Sequence, residues 1–193
     1  MDSALDALIG VHRPRGDARV EGEQCNAELA TRIQALHPQC FGWALVCCGN
    51  SREDAEDVLQ DVYVGVLGNG VRFNGRSTLK TWLFGVIRQK ARSRLRRECL
   101  RKLLGIRHVA RIDIPAPAAR PDDDALAAER RERTRLALAQ LPPRQREVVV
   151  LVFYHDLTVE ESAKVMGVSL GSARVHYDRG KKRLAALLSE DRP

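Results

Sequence analysis

The sequence has no apolar run able to cross a bilayer: the longest, Val148 to Tyr154, is seven residues, against the roughly 20 that a membrane helix needs. Its start, Met1-Asp2-Ser3, lacks the basic region and long apolar stretch of an export signal. Neither membrane insertion nor export is expected. Aromatic residues are scarce, nine in 193, which disfavours an all-β sandwich and points to helices. The five cysteines, Cys25, Cys40, Cys47, Cys48 and Cys99, form no CxxC pair and have no histidine cluster nearby in sequence. Free thiols in a reducing cytosol are the plain reading. Cys47 and Cys48 are adjacent, so they cannot both point from one helix face to a metal. A glycine-rich phosphate loop, an HExxH motif and the marks of a catalytic triad are also missing, so no catalytic residue, metal or cofactor is assigned.

What the chain has in quantity is positive charge in one place. The net charge is +7. From Arg88 to Arg107 there are nine basic residues and a single acid, Glu98, so this band alone carries +8 and the remainder sums to −1. A solvated helix face usually mixes signs; a nearly acid-free band is the footprint of a polyanion binder.

Along the chain, residues 1–24 mix Gly, Pro and charge without periodicity and read as an arm with a short helix at most. From Ala27 to Cys48, Leu29, Ile33, Leu36, Phe41, Trp43, Ala44 and Cys47 recur at helical intervals, with Pro38 expected to break the run. Ser51 opens a capping pattern to Asp54, and Ala55, Val58, Leu59, Val62 and Val66 form a narrow apolar stripe ended by Gly68-Asn69-Gly70. This helix begins acidic, net −4 from Ser51 to Asp61. Acids suit a helix N-terminus, but their persistence to Asp61 suggests a basic partner surface.

A further helix follows Phe73-Asn74-Gly75-Arg76-Ser77, with Ser77 as its expected cap and Leu79, Trp82, Leu83, Val86, Ile87, Ala91 and Leu95 as its buried stripe. Arg88, Arg92 and Arg96 repeat on it at i, i+4, with Lys90, Arg94, Arg97 and Arg101 on the adjoining face, a rod able to follow phosphates. Residues 108–125, with Pro115, Pro117 and Pro121 before Asp122-Asp123-Asp124, read as a flexible tether. Helical pattern resumes at Leu126, stops at Leu141-Pro142-Pro143 and returns from Arg144 to Tyr154.

The sharpest local signal lies beyond. Thr158-Val159-Glu160-Glu161 is a capping box. Counting a helix-turn-helix from Val159 puts Ala163 at the close approach, Gly167 where the turn needs positive φ, and Val168 and Ala173 where the second helix packs back. Ser169 caps that second helix, whose exposed face carries Arg174, His176, Tyr177, Arg179, Lys181, Lys182 and Arg183. Such a face suits the major groove, where the first side chains reach base edges and later ones hold phosphates.

Three segments in order, SREDAEDVLQDVYVGVL (51–67), FNGRSTLKTWLFGVIRQKARSRLRR (73–97) and LPPRQREVVVLVFYHDLTVEESAKVMGVSLGSARVHYDRGKKRLAALL (141–188), together resemble the extracytoplasmic-function (ECF) sigma factors of bacterial RNA polymerase over about residues 25–188. The resemblance implies that the first segment docks the clamp helices of the polymerase largest subunit through Asp54, Asp57, Gln60 and Asp61. It implies −10 promoter contacts from Phe73, Asn74, Arg76, Trp82, Arg88, Lys90, Arg92 and Arg96, the loop residues Phe73, Asn74 and Arg76 capturing an unstacked base; Trp82, already counted in the buried stripe, is expected to serve mainly the core rather than to stack on a base. It implies −35 contacts from Ser172, Arg174, Val175, His176, Asp178, Arg179 and Lys182. Two positions depart from the pattern: Leu83 stands where primary sigma factors carry a second Trp of their melting pair, and Asp178 puts an acid on the reading face.

The expectation is an all-α protein of two small helical domains, 25–107 and 126–193, joined by the 108–125 tether, the second domain holding the helix-turn-helix. The expected function is that of a dissociable, non-catalytic, cytoplasmic sigma subunit whose partners are core RNA polymerase, promoter DNA and an anti-sigma factor. A dimeric helix-turn-helix regulator is the alternative, but it leaves the acidic and basic helices without a task.

Overall fold

The computed structural model describes residues 19–68, 70–103 and 125–190; the arm before residue 19 and nearly all of the expected tether lie outside the described residues. The chain divides into two compact units, Met1–Asp113 and Ile114–Pro193. The elements described are all helical: α1 (Arg19–Cys47), α2 (Arg52–Leu67) and α3 (Leu79–Leu103) in the first unit, and α4 (Ala125–Ala139), α5 (Pro143–Phe153), α6 (Val159–Met166) and α7 (Leu170–Glu190) in the second. Among the described residues no helix is long and apolar enough to cross a membrane.

In the first unit the three helices pack against one another pairwise. The α2 stripe closes as its spacing predicts: Ala55, Val58, Leu59, Val62 and Val66 are all buried, and the Ser51 hydroxyl accepts from the Asp54 N–H at 3.3 Å. At the centre Trp43 of α1 stacks on Phe84 of α3 with ring centroids 5.8 Å apart. Its Nε1–H donates to the Phe84 carbonyl at 3.0 Å, so the large apolar ring is buried without leaving its donor unpaired.

Three local expectations give way here. Pro38 does not break α1, which runs through it for 29 residues. Proline in a helix interior costs roughly 3 kcal/mol. Here Ile33 before it and Cys40, Trp43 and Ala44 after it are buried on one continuous face, while Gln34, whose carbonyl loses its in-helix donor, and Pro38 itself are exposed. The α3 cap is Thr78, not Ser77: Thr78 Oγ1 accepts from the Thr81 N–H at 3.1 Å, with the two threonine hydroxyls 2.8 Å apart. Leu95, assigned to the buried stripe, is 45% exposed, because the burial of α3 stops at Ala91.

In the second unit α7 packs on α4, α5 and α6. Pro143 opens α5 at a position where a missing N–H costs nothing, and Val148 to Leu151 form the buried centre. The helix-turn-helix follows its predicted register. Thr158 and Glu161 complete a reciprocal capping box around α6. Gly167 turns the chain at φ +61°, a conformation that side chains with a Cβ resist. Ala163 and Ala173 are buried, Val168 is half-buried, and Ser169 Oγ accepts from the Ser172 N–H at 3.2 Å.

Candidate nucleic-acid interface

The first unit presents an acidic helix beside a basic one, and the two engage each other. Arg94 of α3 reaches back to α2 and binds Asp54 and Asp57, each at 2.8 Å, while Lys90 binds Asp61 at 3.1 Å. Burial works against the Arg94 charge, but Asp57 and Asp54 outweigh it and hold the guanidinium above its ordinary range. The basic surface suggested by the persistence of acids along α2 therefore exists within the chain itself. Asp57 and Asp61 remain partly exposed at 48% and 58% of their side-chain area, whereas Asp54 keeps only 19%.

Next to these acids, α1 and α2 enclose a groove of about 710 Å³ lined by His37, Phe41, Arg52, Glu56, Leu59, Gln60, Tyr63, Val64, Leu67 and Gly68. The spacing of α2 alone does not reveal it, since the groove closes only where His37 and Phe41 of α1 face α2. Gln60 is exposed on its border and Val64 is 68% exposed. His37 Nδ1 lies 3.1 Å from the Tyr63 hydroxyl, tying the two walls together.

The loop before α3 is held from both ends. The Asn74 side-chain carbonyl accepts from the Arg76 N–H at 3.2 Å and Gly75 takes φ +70°. Asn74 and Arg76 are exposed, whereas Phe73 packs on Trp82 with centroids 5.4 Å apart and Trp82 is buried. Along α3, Arg92 and Arg96 are exposed and Lys90 is half-buried. Arg88 is only 6% exposed, which takes it off the accessible row that the i, i+4 spacing implied. Its turn of α3 is still within the core, one turn before Ala91.

In the second unit Ser172, Arg174, Val175, Asp178, Arg179 and Lys182 are all exposed on α7, and His176 is half-buried. Tyr177 turns to the flank, where it stacks on Phe153 and receives Lys181 over its ring. The structure thus brings the expected −35 residues onto one helix, anchored by the capped turn before it. Among the described residues no group of His, Cys, Asp or Glu is arranged to hold a metal ion.

Two compact helical units, one with an acid-edged groove and a basic helix and the other with a basic helix-turn-helix, have the architecture of a sigma-70-type initiation factor. Residues 32–99 match Sigma-70 region 2 and residues 131–184 match Sigma-70, region 4. The chain is 31% identical over 135 residues to the ECF RNA polymerase sigma factor SigX of Bacillus subtilis (strain 168), covering 69% of this chain and 70% of that protein. It is 34% identical over 140 residues to the RNA polymerase sigma factor CarQ of Myxococcus xanthus, covering 70% and 75%. In fold it is similar to the sigma factor RpoE crystallised with the anti-sigma factor NepR from Bartonella quintana, with TM-score 0.70, 24% identity and coverage of 86% of this chain and 99% of that one. A second similar structure is CnrH in complex with the cytosolic domain of CnrY, with TM-score 0.57, 23% identity and coverage of 90% and 98%.

The chain belongs to the ECF RNA polymerase sigma factors, a family of promoter-directing, non-enzymatic transcription initiation factors. The dimeric-regulator alternative is not favoured, because residues 32–99 match a sigma region that such a regulator does not need.

Proposed function

We propose that this chain is a dissociable promoter-specificity subunit, without catalysis of its own, that works in the cytoplasm beside core polymerase. The α2 face with Asp57, Gln60 and Asp61, together with the apolar groove behind it, receives the clamp helices of the polymerase largest subunit. The loop Phe73 to Ser77 takes an unstacked −10 base, with Arg92 and Arg96 on the flanking phosphates, and α7 enters the −35 major groove. The solved complexes of RpoE with NepR and of CnrH with CnrY support an anti-sigma partner for this chain as well.

The observation that carries this reading is the pairing of two unlike surfaces: an acid-edged apolar groove in the first unit and an exposed basic helix on a capped turn in the second. The test must spare the α2–α3 ion pairs, because reversing Asp57 or Asp61 would also break the fold's own contacts. Val64, 68% exposed on the groove wall, makes no such contact. Val64→Glu should abolish co-elution with core polymerase while circular dichroism stays unchanged. Normal co-elution of that folded variant would remove the groove from the docking surface.

A further inference from the structure

Helix α7 carries one acid, Asp178, on its basic outward face, and it pairs with neither of the basic neighbours within its reach. At about 100° per residue, the buried Ala173 and Gly180 fix the inward direction of the helix. Val175, Asp178 and Lys182 then fall within about 60° of one another on the opposite side. Asp178 stands at one edge of that arc, about 30° from the direction opposite the buried side, and is exposed. Arg174 precedes it by four residues and Lys182 follows by four, the spacing at which helical ion pairs form. Yet among the described residues Asp178 makes no ion pair or hydrogen bond.

A carboxylate in this place repels phosphate, so the favourable contact it can itself make with DNA is a hydrogen bond accepted from a base. In the major groove two groups donate: cytosine N4 and adenine N6. Each amino group adjoins the paired base's carbonyl, but on its own base adenine N6 also has N7, an acceptor that repels a carboxylate, whereas cytosine N4 has the C5–H there. Cytosine is the better partner. Val175, three residues earlier and 46% exposed, offers a branched apolar side chain with no hydrogen-bonding group, suited to the C5 edge of a pyrimidine.

We propose that Asp178 selects a cytosine in the −35 element through its N4 amino group, with Val175 packed on the C5 edge of a neighbouring pyrimidine. This specificity rests on the reading of α7 as the −35 helix. The test uses holoenzyme made from core polymerase and the full chain, applied to a pool of promoter duplexes randomised across the −35 region.

The wild-type chain should enrich a C·G pair at one position. Asp178→Ala should cut the preference for that pair by about tenfold, the size of one good base contact, and leave the other positions as they were. Asp178→Asn should turn the position to A·T, because an amide can donate to adenine N7 while accepting from N6. Co-elution with core polymerase checks that both variants are folded. A wild-type motif with no cytosine, or one that Asp178→Ala leaves unchanged, overturns the inference alone. Failure of the wild-type chain to enrich any −35 sequence overturns the reading of α7, and the inference with it.

Discussion

Ser162 lies in the first turn and a half of α6, fully buried, and among the described residues its hydroxyl has no hydrogen-bond partner. An unsatisfied buried hydroxyl costs roughly 1–3 kcal/mol, and alanine is the better helix former. Ser162→Ala should therefore stabilise the second unit by about 1 kcal/mol, visible as a higher Tm; an unchanged or lower Tm would mean that the hydroxyl is satisfied in solution. Two cysteines give a second residue-level expectation. Burial pushes the Cys40 thiol up to about 11, and burial reinforced by Asp54 pushes the Cys48 thiol up to about 12, both from an ordinary 9. Thiols that resist ionisation only when folded contribute stability below pH 9 that is lost as pH rises through 9 toward 12. Replacing both with alanine should flatten that alkaline decline, as followed by denaturant midpoints at several pH values. In the native wild-type chain the exposed Cys99 should alkylate well before either of them.

At the scale of elements, the crossing of α5 and α7 depends on an absent side chain. A Cβ on Gly180 would stand 2.9 Å from Val149 Cγ2 and 3.1 Å from the Gln145 carbonyl oxygen. Gly180→Ala gains about 1 kcal/mol of helix propensity but overpacks a tight contact, which costs typically 1–3 kcal/mol. The net should be destabilisation, and Val149→Ala in the same chain should recover part of it. Additive losses in that double-mutant cycle would show that the two positions do not meet. That crossing was not legible in the sequence, whereas the packing of α6 on α7 and the turn between them largely were, because the capping box, Gly167 and the small residues Ala163 and Ala173 act within a few residues of one another. The α2 stripe was legible for the same reason. Less legible were the features set by another helix: that α1 stays whole through Pro38, that Arg88 falls inside the core, and that the α2 acids have Arg94 and Lys90 as partners. Periodicity shows that a helix has a face; it does not show what that face meets. Thr78 and Ser77 are both good caps side by side, and the choice came from the hydroxyl of Thr81, one turn into the helix.

For the molecule as a whole, the ion pairs between α2 and α3 change what its formal charge is worth on DNA. Between Arg88 and Arg97 the chain has six basic residues, but Arg88 is buried and Lys90 and Arg94 already hold carboxylates. Arg92, Arg96 and Arg97 are the exposed ones. Binding to nucleic acid draws much of its free energy from cations that leave the phosphates, and each neutralised phosphate steepens the dependence on salt by roughly 0.7–0.9 in logarithmic terms. A base that brings its own anion displaces no such cation. Titrating open-complex formation against salt should show Arg96→Ala lowering the slope by about that amount and Lys90→Ala leaving it nearly unchanged. Equal losses from the two would mean that Asp61 releases its lysine when DNA arrives. With the first outcome, the basic helix grips DNA as though it carried less than its written charge, so the counterion count of the promoter complex is set in part by acids that never touch the DNA.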